Sequence, residues 1–464
     1  MEKRSSFTGK LGFVLAAAGS AVGLGNIWRF PYLAAEYGGG IFLLVYLLLA
    51  VTFGFALMVA EIAIGRKTGL SAIGAFSALS KKHSFIGYMS ALVPSIILPY
   101  YCVIGGWVLK YLAMFVSGNG SATADGEGIF FTQFTSLVEE PIIWFALFLG
   151  ATMLIALFGV EKGIEKASKV MMPILVFLTL FISGYSLVID IIQDGGAGIA
   201  YYLVPDFTKL SPMTFVAAVG QLFYSMSLAM GIMITYGSYM KKNVSIENSV
   251  HQIEFFDTGI AFLAGLMIIP AVVSSADAAA VGKGPGLMFI ALPKVFESMP
   301  AGHIIGAIFF ILVLFAALTS SISLAETIIS IICDKFHFKR IYSILTVFIG
   351  CILIGLPSTL GFGILSGVKP LNMDFLTFFD FMSNSVIMPV VALLVCLFIN
   401  LVIKTKTIED EVEISGKFKG KALFRVVIKY IAPVFLVIIL VSSVIGGLAD
   451  AGIVTGKLAE FFTI

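Results

Sequence analysis

Apolar residues fall in long runs, without the alternation of half-buried strands or the one-sided stripe of surface helices. The runs cover 11–36, 41–65, 88–116, 141–158, 168–190, 214–240, 250–275, 303–334, 339–359, 376–403 and 424–448. A helix needs about 20 mostly apolar residues to cross a bilayer. The pattern therefore predicts an all-α integral membrane protein with eleven transmembrane helices. An odd number of crossings puts the two ends on opposite sides. The polar segments between runs reach only about 20 residues, too short to fold alone. Any chemistry therefore belongs inside the helix bundle.

Composition sharpens this. Of 464 residues, 59% are hydrophobic and 12% charged, where soluble domains carry about 45–50% and about 25%. The formal net charge is +2, so no strongly basic face exists to neutralise phosphates. A soluble enzyme and a nucleic-acid partner are excluded, and the bilayer is an obligatory partner. Lys and Arg cluster in alternate segments: Lys3, Arg4 and Lys10; Arg66, Lys67, Lys81 and Lys82; Lys162, Lys166 and Lys169; Lys241 and Lys242; Lys335, Lys339 and Arg340; and 404–425. The opposite segments hold only Lys209, Lys283, Lys294, Lys369 and Lys457. The positive-inside rule then predicts a plasma (inner) membrane protein with a cytoplasmic N-terminus and an external C-terminus. The basic start, MEKRSSFTGK, mimics a signal peptide, but the run continues into GNIWRFPYLAAEYGGG without a small-residue cleavage site and reads as a retained first span. Cys102, Cys333, Cys351 and Cys396 lie in or beside apolar runs with no C-x-x-C pair, which reads as small buried hydrophobes. The internal segment 404–423 is polar and reads as mobile.

Two runs are poor as simple helices. The first contains AAAGSAVGLGNIWRFP, with Gly19, Gly23 and Gly25 followed by Asn26, Arg29 and Pro31. The sixth contains GQLFYSMSLAMGIMITYGSY, interrupted by Ser225, Ser227 and Gly231. Small residues at helix contacts in lipid would account for either alone. Together they mark discontinuous helices 1 and 6, the placement expected of a five-plus-five inverted repeat and the best sequence pointer to a transporter site. On that reading 1–403 is a ten-helix core, and 404–464 a cytoplasmic loop with the eleventh helix. Unwound backbone at bilayer depth is unfavourable unless its groups are used. Freed amides and helix N-termini suit a carboxylate, and freed carbonyls suit a cation. An amino-acid zwitterion with a metal ion satisfies both.

These residues resemble a known family. GSAVGLGNIWRFPYLAAEYGGG is similar to the first-helix signature of the neurotransmitter:sodium symporters, in the prokaryotic amino-acid branch with the leucine-transporter fold. PYYCVIGGW, GQLFYSMSLAMG, FAALTSSIS and FFDFMSN extend the resemblance over about residues 8–400. It implies two sodium ions. The first would use Ala21, Asn26, Ser225, Asp257 and the substrate carboxylate. The second would use Gly19, Val22, Ala316, Thr319 and Ser320, an all-oxygen set that suits a hard cation. Taken alone, Thr319 and Ser320 equally suit bonds to their own helix backbone. The substrate pocket would comprise Ala21, Gly23, Gly25, Ile97, Tyr101, Tyr224, Ser225, Ser227, Met230, Ser320 and Leu324, with the Tyr101 hydroxyl donated to the carboxylate. Glycine at 23, where monoamine carriers of the family have Asp, argues for an amino acid. Ile97, Met230 and Leu324 favour a hydrophobic or aromatic side chain. Small-pocket members often have glycine where Ala229 stands, which leaves side-chain size open.

An acidic residue inside an apolar helix reads as functional, and Asp257 in IEFFDTGIAFL is such a residue, unless it is merely interfacial. Chloride-dependent members have a neutral residue there. Asp257, near Tyr46 and Gln221, would substitute for chloride and would bind a proton on the return step. The resemblance also implies gates: Arg29 with Asp380 under a Tyr224 lid outside, and Arg4 with Asp334 and Tyr239 inside, where Phe7 replaces the family's usual Trp. Gly163 and Pro173 mark either a kinked fifth helix or a segment that unwinds to hydrate the second sodium site. The implied activity is sodium-coupled amino-acid symport by alternating access. A channel or substrate-sensing receptor on the same scaffold is the rival. An enzyme is not expected: His83, His251, His303 and His337 sit near span ends, and no nucleophile–base pair is evident.

Overall fold

The computed structural model describes residues 6–125, 127–273 and 286–456. Lys3, Arg4, Lys283 and Lys457 lie outside the described residues. Within them the chain is helical, with an isolated antiparallel bridge between Gly39 and Pro205.

Nine described helices are long and apolar enough to cross a membrane: Gly40–Thr68, Lys81–Val116, Glu139–Leu157, Val160–Ile192, Ile246–Pro270, Gly302–Phe336, Arg340–Leu360, Phe375–Ile403 and Lys421–Asp450. Lys10–Ala21 and Gly25–Glu36 make a tenth if counted as one span bent by 51°. The expected sixth span is Pro212–Ser225 followed by Ile232–Ser238, each too short to cross alone. Burial orders the bundle. In its most apolar window, Lys81–Val116 is 78% buried, whereas Lys421–Asp450 is 22% buried. The long third stretch is thus central, and the last presents most of its surface outward, as a helix solvated by lipid can.

Local chemistry sets both breaks. Lys10–Ala21 ends where Val22 turns extended, at φ −75° and ψ 99°. Asn26 Oδ1 then accepts the Gly23 N–H at 3.0 Å and caps the turn into the second half. Pro212–Ser225 begins in a reciprocal Ser211–Thr214 capping box with proline in the first turn. It ends in Ser227, Ala229 and Gly231, at φ +54°, +60° and +71°. Left-handed backbone costs an L-residue about 1–2 kcal/mol, so Ser227 and Ala229 hold strain that the surroundings must impose.

Gly65 lies directly against the Ile234 carbonyl, and Gly237 against the Ile62 carbonyl, with no room for a methyl at either. Gly40–Thr68 and Ile232–Ser238 therefore pack backbone to backbone. The 404–423 segment departs from expectation: it carries the helix Thr405–Glu413 and is tied down. The fully buried Arg66 side chain pairs with Glu411 at 2.9 Å, and Lys242 reaches the same carboxylate at 2.7 Å. Glu247 accepts the Lys419 and Gly420 amides at 3.0 and 2.6 Å. Polarity misled here because these charges serve each other rather than water.

Candidate functional site

The two breaks face one cavity, with about 340 Å³ of empty space that is partly open to its surroundings. Its lining contains Ala21, Gly23, Gly25, Ile97, Tyr101, Tyr224, Ser225, Ser227, Met230, Ser320 and Leu324, together with Ser20, Leu24 and Ile232. The last three escaped the sequence reading, although each adjoins a feature it singled out. Gly23 is a tight point: a Cβ there would lie 2.5 Å from Ser320 Oγ and 3.0 Å from the Tyr101 hydroxyl. Tyr101 OH accepts the Leu24 N–H at 3.3 Å. The Tyr101 hydroxyl, the Leu24 amide and Ser320 thus gather around Gly23, and the apolar Ile97, Ile232 and Leu324 line the same space.

Asp257 is fully buried and bonded by side chains from three elements. Asn26 Nδ2 donates to its Oδ1 at 2.7 Å, Ser225 to the same oxygen at 2.6 Å, and Tyr46 OH to Oδ2 at 3.2 Å. No Lys or Arg lies within 4.0 Å of it among the described residues. A carboxylate inside a bundle, hydrogen-bonded but without a cationic side chain, is a place where a bound cation is favourable. Gln221 does not reach Asp257; its Nε2 donates to the Gly25 carbonyl at 2.8 Å.

The second oxygen set is also assembled. Ser320 Oγ donates to the Ser20 carbonyl at 3.0 Å and reaches the Val22 carbonyl at 3.5 Å. Gly19 sits against Thr319, and a Cβ there would be 3.3 Å from that side chain. Thr319 Oγ1 is bonded within its own helix, to the Phe315 and Ala316 carbonyls at 3.0 and 3.1 Å. Met172 Sδ, next to Pro173, also lies against Gly19. Helix continues through this region: Gly163 falls in the π-helical turn Val160–Glu165, and Pro173 lies inside Lys166–Asp194. The fifth stretch is helical here rather than unwound.

A second, larger opening of about 790 Å³ is lined by Trp28, Arg29, Tyr32, Tyr100, Ile104, Tyr224, Leu376, Thr377 and Asp380. Tyr224 lines both spaces, so its ring is the partition. It lies over Gly25, where a Cβ would come within 2.5 Å of the ring, and Arg29 sits 5.2 Å from the ring centroid. Arg29 and Asp380 flank the same opening without a direct ion pair. Asp380 instead accepts from Tyr100 OH at 3.1 Å and Asn384 Nδ2 at 2.7 Å.

At the Lys/Arg-rich end, Arg4 lies outside the described residues. Asp334 accepts the Ser71 N–H at 2.8 Å, and Tyr239 OH donates to Glu326 at 2.8 Å. Arg340 pairs with Glu326 as well. Phe7 is buried and packs edge-on against Phe13, Tyr236 and Tyr239, with centroids 5.6 to 6.2 Å apart. Glu326 and Glu61, both buried, were missed in the sequence, although a lone acid in an apolar run was the signal that singled out Asp257.

Comparison with known proteins agrees with this geometry. Residues 4–120 and 137–449 match the sodium:neurotransmitter symporter family. The chain is 35% identical over 451 residues to the uncharacterized sodium-dependent transporter YhdH of Bacillus subtilis, covering 96% of this chain and 98% of that one. It is 29% identical over 384 residues to the human sodium- and chloride-dependent taurine transporter, covering 72% and 61%. Among solved structures it is similar to MhsT in complex with L-phenylalanine, with a TM-score of 0.86 and 37% identity, over 95% of this chain and all of that one. Family members are transporters rather than enzymes, and the chain belongs to the sodium:neurotransmitter symporter family.

Proposed function

We propose that the chain imports a hydrophobic or aromatic amino acid with two sodium ions by alternating access. One observation carries the reading. A single cavity is lined both by polar groups clustered at Gly23 and Tyr101 and by the apolar Ile97, Met230 and Leu324, and the buried Asp257 is bonded to Asn26 and to the lining residue Ser225. The solved relative holds phenylalanine, which supports an aromatic or large aliphatic side chain here.

The substrate carboxylate completes the shell of the first sodium, held by Ala21, Asn26, Ser225 and Asp257. Gly19, Val22, Ala316, Thr319 and Ser320 hold the second. A shared ligand makes the coupling reciprocal, each solute raising the affinity for the other. One sodium crossing 100 mV supplies about 2.3 kcal/mol. Asp257, with Tyr46 and Ser225 on its oxygens, supplies the negative charge that chloride gives other members, so transport is chloride-independent. The same carboxylate takes a proton after sodium leaves.

The architecture is eleven spans, the broken sixth counted as one. Residues 1–403 form a five-plus-five inverted repeat, and the chain continues as a cytoplasmic connector and an eleventh helix. The Lys/Arg-rich end is cytoplasmic and the C-terminus external. Tyr224, Arg29 and Asp380 close the outer side; Arg4, Asp334 and Tyr239 close the inner.

Uptake into proteoliposomes tests this, with a panel of amino acids and with sodium, potassium or choline, with and without chloride. Saturable, concentrative uptake only in sodium is expected. Uptake that merely equilibrates, or that needs chloride, overturns the corresponding part.

A further inference from the structure

Glu61 lies within the Gly40–Thr68 helix and is 2% exposed. Its Oε1 accepts the Ala229 N–H at 2.7 Å, and among the described residues its Oε2 has no hydrogen-bond partner. Ala229 is one of the residues held left-handed in the broken sixth stretch. Glu61 therefore braces the strained turn from outside the substrate cavity, which neither residue lines. Two buried hydroxyls near the same turn also lack partners among the described residues. One is Thr235 Oγ1, whose own N–H donates to the Gly231 carbonyl at 3.0 Å. The other is Ser90 Oγ, whose carbonyl lies 3.6 Å from where a Gly231 side chain would begin.

Charged groups on the surrounding elements are engaged elsewhere. Glu411 and Glu409 pair with Arg66 and Arg425. Glu247 holds the Lys419 and Gly420 amides, and His251 pairs with Glu254. Tyr236 donates to Ser323, and Asp257 is bonded by Asn26, Ser225 and Tyr46. On the Phe375–Ile403 helix, the Cys396 thiol interacts electrostatically with Glu61. Among the described residues no Lys or Arg comes within ion-pair distance of Glu61. An ionised carboxylate with one hydrogen bond and no counter-charge is strongly unfavourable at this depth. A proton removes the charge and supplies a donor in a region holding two unpartnered hydroxyls.

We propose that Glu61 is a proton-binding site built against the broken sixth helix. Its carboxyl holds a proton while the turn is packed as here, and gives it up when movement of the turn admits water. On release the Oε2–H bond breaks, the proton passes to water as hydronium, and the electron pair stays on a carboxylate that is then solvated. Release rests on the alternating-access reading; the bound proton does not.

The test is infrared difference spectroscopy of the full-length protein in vesicles, with sodium and phenylalanine present, comparing wild type with Glu61→Gln. The amide oxygen of Gln can still accept the Ala229 N–H. Expected is a protonated-carboxyl carbonyl band in wild type that is lost in Glu61→Gln and retained in Asp257→Asn. A spectrum without the band, or a band that survives Glu61→Gln, overturns the proposal. Should that variant not fold, Glu61→Asp, which keeps a carboxyl at the position, is expected to shift the band, and an unshifted band overturns the assignment. Release is read separately from the pH dependence of uptake, which flattens in Glu61→Gln. An unchanged profile with the band lost removes release and leaves the proton site standing.

Discussion

Asn26 and Asp257 are 231 residues apart in sequence and bonded at 2.7 Å, Nδ2 to Oδ1. The bond ties the second half of the broken first helix to the middle of Ile246–Pro270, and the Asp257 backbone carbonyl accepts from the same amide at 3.1 Å. A change at either residue is therefore felt at both the ion site and the helix break.

Replacing Asp257 by Asn keeps the shape and removes the charge. A hydrogen bond to a charged group contributes about 1.5–3 kcal/mol, so sodium affinity is expected to fall about 10- to 100-fold, with partial recovery in chloride. Sodium titration of amino-acid binding with chloride or gluconate checks this. An unchanged sodium affinity removes Asp257 from the ion site.

Gly23→Ala places a methyl 2.5 Å from Ser320 Oγ and 3.0 Å from the Tyr101 hydroxyl. Overpacking costs about 1–3 kcal/mol, and the methyl occupies the space assigned to the substrate carboxylate. Amino-acid binding is expected to be lost while the purified protein stays monodisperse. Retained binding, followed by scintillation proximity, moves the carboxylate elsewhere.

Leu324→Ala enlarges the apolar wall of the cavity. One methylene changes discrimination by about 1–3 kcal/mol, so preference for tryptophan over leucine is expected to rise about tenfold or more. Competition binding measures the ratio. A ratio that does not move places the substrate side chain against another wall.

The connector is expected to be acid-sensitive. Glu409 is held below the usual carboxylate range, first by its hydrogen bond from Arg425 and further by Lys421. Its contribution is complete above the unfolded carboxylate value of about 4.3. It is lost as the pH falls through the lower folded value. Amide protection factors over 405–420, taken against the intrinsic exchange rate at each pH, are expected to be high at pH 7 and lower in strong acid. Arg425→Gln is expected to lower them already at neutral pH. Equal protection in that variant detaches the ion pair from the packing.

Much of the site was legible because its residues cannot be there for packing alone. Three glycines within seven residues of one apolar run weaken its helix, matched by a second interrupted run, and an Asp in a third is unfavourable in lipid. Most helix limits follow the apolar runs, but the third and fifth helices begin at 81 and 160, seven and eight residues before their runs, because their first turns carry Lys81, Lys82, Glu161 and Lys162. What could not be read depends on contacts between distant segments. Ser227 reads as part of a break, but the left-handed backbone at Ser227 and Ala229 is held by Ser20 and Glu61 contacts that come from other helices. The connector reads as solvated because its partners, Arg66 and Glu247, lie far away in sequence. Arg29 and Asp380 flank one opening, and the Tyr100 and Asn384 bonds that hold the acid were not read from the sequence.

The reciprocal seating of Gly65 on the Ile234 carbonyl and Gly237 on the Ile62 carbonyl leaves no slack for sliding. Spectroscopic labels straddling that seam should keep one constant separation through every stage of turnover. They would serve as a built-in ruler for displacement in the rest of the molecule.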